Sequence, residues 1–303
     1  MTAARPEIPA ELLALMAEVG PRWREDVPGH VRLMVERFSA VLREAPKQHA
    51  ELRRDIAYGA HPRQRFDLFL PRQAAAPAPA LLFVHGGAFV DGSRNRSDEI
   101  YANVLYCFAQ HGIVGVNIGY RLAGDARYPE ATRDVAAVVA WVRANGAALG
   151  IDPERLFLMG HSAGAAHTGS YAYDARHQPP GGPGLAGHIV VSGRVRADNR
   201  PDNPNARKVE AYYGSDNAIY DDVSPVSHVG AGSVPTFVAW SEFENPLIDV
   251  YCAELVYRLA LAKGRTPPCL WLRGHNHTSI IGHLNTADTR LEQAILDFIR
   301  ASA

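Results

Sequence analysis

The 303-residue sequence has few cysteines, no excess of charge of either sign and no long hydrophobic run. Its three cysteines, Cys107, Cys252 and Cys269, are odd in number and widely spaced, so neither a disulfide framework nor a zinc site is predicted. We expect reduced thiols and a cytoplasmic location. The net charge of −1, with basic residues scattered along the chain, argues against nucleic-acid binding. No stretch approaches the roughly 18 apolar residues of a membrane span, and the N-terminus lacks a signal-peptide pattern, so no membrane partner is expected.

Short apolar runs and helical patterns alternate along most of the chain. RFDLFLP alternates as a half-buried strand does, and the clearest helical pattern covers 129–149. Six runs without strict alternation are typical of strands buried on both faces of a sheet: 80–84, 113–118, 155–159, 188–193, 236–240 and 269–273. This alternation predicts a doubly wound, mostly parallel sheet, in which ligands bind beyond the carboxyl ends of the strands.

The first 50 residues differ from the remainder. They are predicted to be helical, with one apolar face formed by Val31, Met34, Val35, Phe38 and Leu42. We therefore divide the chain into an N-terminal helical cap segment (1–50) and a catalytic domain (51–303), and expect the cap to lie across the strand ends and line a pocket.

The pentapeptide GHSAG, residues 160–164, follows one of the predicted strands and precedes a helical stretch. The pattern G-x-S-x-G in that setting places Ser162 at the apex of a sharp, strained turn, where its hydroxyl is exposed for nucleophilic attack. A glycine-containing turn of no function is the plainer interpretation, but the strand-turn-helix context favours the nucleophile.

A second glycine-rich segment, HGGAF at 85–89, follows another predicted strand. Its glycines would let the backbone N–H groups of Gly87 and Ala88 point at a substrate oxygen, together with the N–H of Ala163 after the nucleophile. Two such signals after separate strands predict a nucleophilic hydrolase with an oxyanion hole.

A serine nucleophile needs a histidine base, and the base needs an acid to orient it. GHNHTSIIGH follows the last predicted strand and offers His275, His277 and His283; the spacing of the first two does not favour a metal site. SEFENPLID follows the preceding strand and offers four possible acids or amides: Glu242, Glu244, Asn245 and Asp249.

With these motifs the sequence resembles the α/β-hydrolases, and within them the carboxylesterases of the hormone-sensitive-lipase-like and arylformamidase-like branches. FVHGGAFVDGS, GIDPERLFLMGHSAGAAH and GHNHTSII carry the resemblance, which covers most of residues 55–300. It implies that Ser162 is the nucleophile, that His277 of the HTS triplet is the base, and that Gly86, Gly87 and Ala88 form the oxyanion loop.

The resemblance also bears on the acid. The first branch places it directly before Pro-Leu, where this chain has Asn245, whereas the second places it one residue earlier, at Glu244. Since a neutral amide cannot stabilise an imidazolium by charge, we predict Glu244, with Asp249 as the main alternative.

The expected function is hydrolysis of small to medium acyl esters by water through an acyl-enzyme, with no metal or organic cofactor. An arylformamidase-type amidase and a non-catalytic binding protein are the alternatives. Phe89 and Tyr120, each close behind a predicted strand, are candidate pocket residues. The sequence leaves the oligomeric state open, a homodimer included.

Overall fold

The computed structural model describes residues 4–75 and 77–302, and in them one eight-stranded sheet forms the centre of the molecule. The strands are β1 (Ala50–Ala57), β2 (Arg65–Pro71), β3 (Ala78–Val84), β4 (Val114–Ile118), β5 (Ile151–His161), β6 (Gly187–Val191), β7 (Thr236–Phe243) and β8 (Cys269–Asn276).

The strand order is β1-β2-β4-β3-β5-β6-β7-β8. Strands β3 to β8 are parallel to one another, and β2 runs antiparallel to both β1 and β4. The predicted doubly wound, mostly parallel sheet is confirmed, and each of the predicted strands is present.

Strand β1 was not predicted. It lies at the edge of the sheet and carries Glu51, Arg53, Arg54 and Asp55 on largely exposed positions. Charged edge strands are common because they discourage pairing with other chains, and they give no apolar pattern to detect.

Helices cover both faces of the sheet. They are α1 (Ala10–Val19), α2 (Val27–Leu42), α3 (Ala102–Ala109), α4 (Glu130–Asn145), α5 (Gly164–Tyr173), α6 (Ala206–Tyr213), α7 (Ile248–Lys263), α8 (Ser279–Gly282) and α9 (Arg290–Ala301). None of the helices in the described part of the chain is long and apolar enough to cross a bilayer.

The apolar face predicted for α2 divides between two surroundings. Met34, Phe38 and Leu42 are fully buried in the hydrophobic core, with Phe38 against α8, whereas Val31 and Val35 are half-buried and face an open cavity. The helix begins at a favourable point, because the carboxylate of Asp26 accepts a hydrogen bond from Gly29 N at 3.0 Å. Helix α2 is thus anchored in the core on one side and forms a cavity wall on the other.

The N-terminal residues are tied to the last helix through Glu292. Its buried carboxylate accepts hydrogen bonds from the guanidinium of Arg5, at 2.8 Å for one of them, and lies 2.5 Å from His111 Nε2. Burial alone would raise the pKa of Glu292, but the hydrogen bonds from His111 and Arg5 lower it from the usual 4.5 to about 2. The carboxylate is therefore charged at neutral pH.

Candidate active site

The residue predicted as the nucleophile, Ser162, lies between the end of β5 and the start of α5. Its φ of 55° falls in the left-handed region, which costs a non-glycine residue about 1–3 kcal/mol. Gly164 makes the turn possible, because a Cβ at that position would lie 2.2 Å from the carbonyl oxygen of Val84. Helix α5 therefore packs directly on the end of β3 and holds Ser162 at a strained apex, as the motif predicts.

Ser162, His277 and Glu244 form a continuous hydrogen-bonded chain. His277 Nδ1 lies 2.5 Å from Glu244 Oε2, and His277 Nε2 lies 2.9 Å from Ser162 Oγ. A carboxylate can only accept, so Nδ1 carries the proton and donates it to Glu244. Nε2 is then left to accept the hydroxyl proton of Ser162, which is the arrangement a general base requires.

The two oxygens of Glu244 have separate partners. Oε2 accepts from His277, whereas Oε1 accepts from the backbone N–H and hydroxyl of Ser241, at 2.8 and 2.7 Å, and from the hydroxyl of Ser192. Burial alone would raise the pKa of this carboxyl group, but the charge of His277 and these hydrogen bonds hold the pKa of Glu244 below its usual range. Glu244 is consequently a fixed anion behind the imidazole.

The other three candidates in SEFENPLID contact different groups. Glu242 Oε2 accepts the N–H of Gly274 at 2.7 Å and forms no hydrogen bond with His277 within the described residues. Asn245 Oδ1 accepts the indole N–H of Trp23 at 2.8 Å, and Asp249 forms a partly exposed ion pair with Arg24 at 3.1 Å. Of the four, the structure brings Glu244 alone to His277.

The glycine-rich segment after β3 lies beside the nucleophile. Gly86 is in direct contact with it, since a Cβ there would come within 2.8 Å of Ser162 Cβ, and Gly87 and Ala88 have φ values of 149° and 48°. Within residues 4–75 and 77–302, the backbone N–H groups of Gly87, Ala88 and Ala163 donate to no other protein group. Three free donors at the mouth of the nucleophile turn are suited to hold a developing oxyanion.

His161 supports the base from the side opposite Glu244. Its Nε2 lies 3.1 Å from the carbonyl oxygen of His277, and the two rings are 5.0 Å apart. Burial, together with neighbouring His277, holds the pKa of His161 well below its usual value, so its ring is neutral and its Nε2–H donates to that carbonyl.

One group of side chains near the base has the composition of a metal site. His275, His283 and Asp288 offer ligand atoms that all lie within 4.8 Å of one another. However, the guanidinium of Arg290 donates to both oxygens of Asp288 and lies 2.9 Å from His275 Nε2. Because the positive charge of Arg290 already compensates Asp288, the three side chains do not fit a metal ion. Their hydrogen bonds with Arg290 instead stabilise the segment that carries His277.

Ser162 and His277 open into a cavity of about 430 Å³. Its walls include the predicted Gly86, Gly87 and Ala88, together with further residues from α2, from other helices and from the loops beyond the strand ends: Val27, Pro28, Val31, Arg32, Val35, Asp91, Arg96, Ile100, Tyr101, His161, Arg194, Asn205, Lys208, Asn245, Ile248, Thr278 and Ile281.

The predicted pocket residues Phe89 and Tyr120 are not among its walls, and this expectation is corrected. Phe89 is buried and stacks on Tyr212 at 5.0 Å, because its φ of 71° turns the ring away from the nucleophile. Tyr120 is buried as well, and its hydroxyl donates to the carbonyl of His85 at 2.9 Å. Both side chains support the oxyanion loop from the core.

The arrangement of the sheet is shared with solved structures. A bacterial heroin esterase superposes with a TM-score of 0.68 at 24% identity, covering 92% of each chain, and a hyperthermophilic esterase from the archaeon Pyrobaculum calidifontis gives 0.67 at 20% identity, covering 98% of this chain and 97% of its own. The chain has the α/β-hydrolase fold. The fold expected from the motifs is confirmed.

Sequence comparison finds proteins that are named esterases. The BD-FAE family model matches residues 66–176. Esterase LipC of Mycobacterium tuberculosis is 33% identical over 202 residues, which are 61% of this chain and 49% of LipC. The matched region spans about half the length of LipC, and 28% and 23% of two isoprenylcysteine methylesterases of Arabidopsis thaliana that carry the word probable in their names.

Sequence reasoning missed several groups in the site. Ser192 and Ser241, which fix Glu244, and Arg194 in the cavity wall all lie at or just beyond the carboxyl ends of β6 and β7. Their position could have identified them, since ligands bind at the carboxyl ends of the strands in such sheets, and the residues that hold the ligand-binding side chains lie there too. Trp23 gave no comparable signal, because its partner Asn245 is 222 residues away.

Proposed function

We propose that this α/β-hydrolase is a serine carboxylesterase that hydrolyses small to medium acyl esters through an acyl-enzyme. The observation that carries the proposal is the unbroken chain from Ser162 Oγ through His277 to the buried Glu244, opposite three free backbone N–H groups. Nucleophile, base, orienting acid and oxyanion donors are the groups that acyl transfer requires. Ser162, His277, Gly87 and Ala88 line one cavity, and Glu244 is buried behind His277.

In the proposed reaction Ser162 Oγ attacks the ester carbonyl while His277 Nε2 takes its proton. The negative charge that develops on the carbonyl oxygen is held by the N–H groups of Gly87, Ala88 and Ala163. His277 then returns the proton to the leaving alcohol, and Glu244 stabilises the imidazolium in between. A water molecule, activated by His277 in the same way, releases the acid and restores Ser162.

The N-terminal segment contributes the outer wall of the proposed pocket. Val27, Pro28, Val31 and Val35 of α2 provide apolar surface opposite the nucleophile, which supports the role of residues 1–50 as a cap. A cavity of about 430 Å³ is in the range that binds small organic ligands, consistent with acyl chains of small to medium length.

The relatives support ester over amide hydrolysis. LipC is named an esterase, and the Pseudomonas putida protein that is 36% identical over 99 residues, 32% of this chain and 30% of that one, is an ethyl acetate hydrolase. The arylformamidase alternative receives no comparable support.

The proposal is tested by assaying the wild type and Ser162→Ala in parallel on 4-nitrophenyl butyrate and on an N-formyl aromatic amine. We expect turnover of the ester by the wild type alone, and covalent labelling of Ser162 by an organophosphate. Ester hydrolysis that survives in Ser162→Ala would overturn the mechanism, and turnover of the formyl amine alone would overturn the ester assignment.

A further inference from the structure

Arg194 is a buried cation in the wall of the active-site cavity. It is the third residue after the end of β6, and its backbone N–H donates to the carbonyl of Ser162 at 2.9 Å. The residue is only 3% exposed, and it is the one buried arginine among the residues that the structure describes.

This guanidinium has no anionic partner. Across residues 4–75 and 77–302 no carboxylate forms an ion pair with Arg194; its contacts are with Tyr251, whose Oη is 3.5 Å from Nη1 and whose ring centroid is 5.3 Å away. The Tyr251 hydroxyl in turn donates to Asp198. This carboxylate is therefore linked to the charge of Arg194 only through the hydroxyl of Tyr251. Arg196, two residues on and more exposed, by contrast binds both Glu254 and Asp221 directly.

Most of the other charges in the cavity wall are positive as well. Arg32, Arg96 and Lys208 line it, and the one acid among the named wall residues is the exposed Asp91. In a chain with a net charge of −1 this is a local concentration of positive charge at the place where substrate binds.

Burying a charge without a partner is costly, and buried cations in proteins are normally paired. An unpaired guanidinium that faces a ligand cavity is therefore explained most simply if the ligand supplies the anion. Guanidinium groups bind carboxylates through two parallel hydrogen bonds, which also fixes orientation.

We propose that the substrate of this hydrolase is an ester that carries a free carboxylate, bound by Arg194 with Arg32, Arg96 and Lys208 attracting it to the cavity. A half-ester of a dicarboxylic acid and an ester of a carboxylated alcohol are the two forms of this class. The inference rests on the proposed serine esterase function and specifies its substrate.

The test compares esters that differ only in the anionic group. Mono(4-nitrophenyl) glutarate is paired with 4-nitrophenyl pentanoate for a carboxylate on the acyl side, and 4-acetoxybenzoate with 4-methylphenyl acetate for one on the alcohol side. With the rate of Ser162→Ala subtracted, we expect kcat/KM of the wild type to favour the charged member of at least one pair by about 10- to 100-fold, as for a charge-assisted hydrogen bond.

Variants assign the preference to Arg194. In Arg194→Met the ratio for the favoured pair is expected to fall to near one, whereas Arg207→Met, which removes an exposed arginine beside Lys208 but outside the cavity wall, should keep it. If Arg194→Met does not fold, inhibition of the wild type decides: glutarate should inhibit hydrolysis of 4-nitrophenyl pentanoate with a Ki at least about 10-fold lower than that of the uncharged glutaramide.

The outcomes separate this inference from the proposed function. Ser162-dependent hydrolysis with no preference in either pair, or equal inhibition by glutarate and glutaramide, would overturn the carboxylate substrate and leave the esterase intact. A preference that persists in folded Arg194→Met would overturn the assignment to Arg194. Hydrolysis of no ester in a Ser162-dependent manner would overturn the esterase itself.

Discussion

Replacement of Glu244 by Gln changes a single atom in the hydrogen-bonded chain. In the wild type Oε1 is saturated by Ser192 and Ser241, and Oε2 accepts from His277. The amide oxygen of Gln can still accept from the two serines, but its NH₂ group then faces His277 Nδ1. Both groups would be donors, so the ring has to move its proton to Nε2.

The magnitude follows from this change of tautomer. With its proton on Nε2, His277 cannot accept the hydroxyl proton of Ser162, and no carboxylate remains to stabilise the imidazolium. We expect kcat to fall by about 10²- to 10⁴-fold, which corresponds to roughly 2.7–5.4 kcal/mol at about 1.36 kcal/mol per factor of ten. Binding of the ester should change little, because Glu244 does not line the cavity.

The assay is steady-state hydrolysis of 4-nitrophenyl butyrate, with the rate of organophosphate labelling of Ser162 as a second readout. Glu242→Gln and Asp249→Asn are matched controls of the same chemistry. Both are expected to stay within about threefold of the wild type, since their partners are a backbone N–H and an exposed arginine. A silent Glu244→Gln beside a disabled Asp249→Asn would refute the assignment of the acid.

Three further predictions concern stability. Trp23→Phe removes the hydrogen bond to the half-buried side chain of Asn245 and should lower the free energy of unfolding by about 1 kcal/mol in urea titrations, with an unchanged m-value. Gly164→Ala forces a Cβ into the backbone of β3 and should destabilise by about 3 kcal/mol or more, whereas Gly232→Ala, in open space, should be neutral; equal stability of the two variants would contradict the packing argument. Because the folded pKa of Glu292 is depressed, its contribution is complete above pH 4.5 and is lost as pH falls toward about 2; the stability difference between wild type and Glu292→Gln should shrink over that window in thermal melts, and a constant difference would contradict it.

Much of the fold could be predicted from the sequence because the buried parallel strands consist of uninterrupted apolar runs. Residues 80–84 and 236–240 are examples, and both lie inside strands that the structure extends by a few residues. Strand β1 could not be found in this way, since an edge strand with alternating charges carries no such run. The apolar face predicted for α2 is present in the structure. The spacing of apolar residues does not distinguish a side chain that packs in the core, as Phe38 does, from one that lines a cavity, as Val31 does.

The candidate site was predicted where chemistry restricts the choice of residue. Ser162, His277 and Glu244 each lie beyond a strand end in a motif with few alternatives, and the structure brings the three together; their catalytic roles stay predictions until the variants are assayed. Phe89 and Arg194 show what the sequence could not predict. Both lie a few residues beyond strand ends, but Phe89 packs in the core and Arg194 lines the cavity. Backbone conformation and packing, which the sequence pattern does not contain, decide between the two positions.

The indole of Trp23 and the guanidinium of Arg24 donate hydrogen bonds to the segment that carries Glu244, through Asn245 Oδ1 and the carbonyl oxygen of Glu244. A movement of the N-terminal helices away from the sheet would therefore pull on the peptide that positions Glu244 against His277. If the proposed function is right, opening the cavity for a bulky ester would weaken the contact that orients the base. We therefore expect small esters, which enter without moving these helices, to be hydrolysed faster than bulky ones.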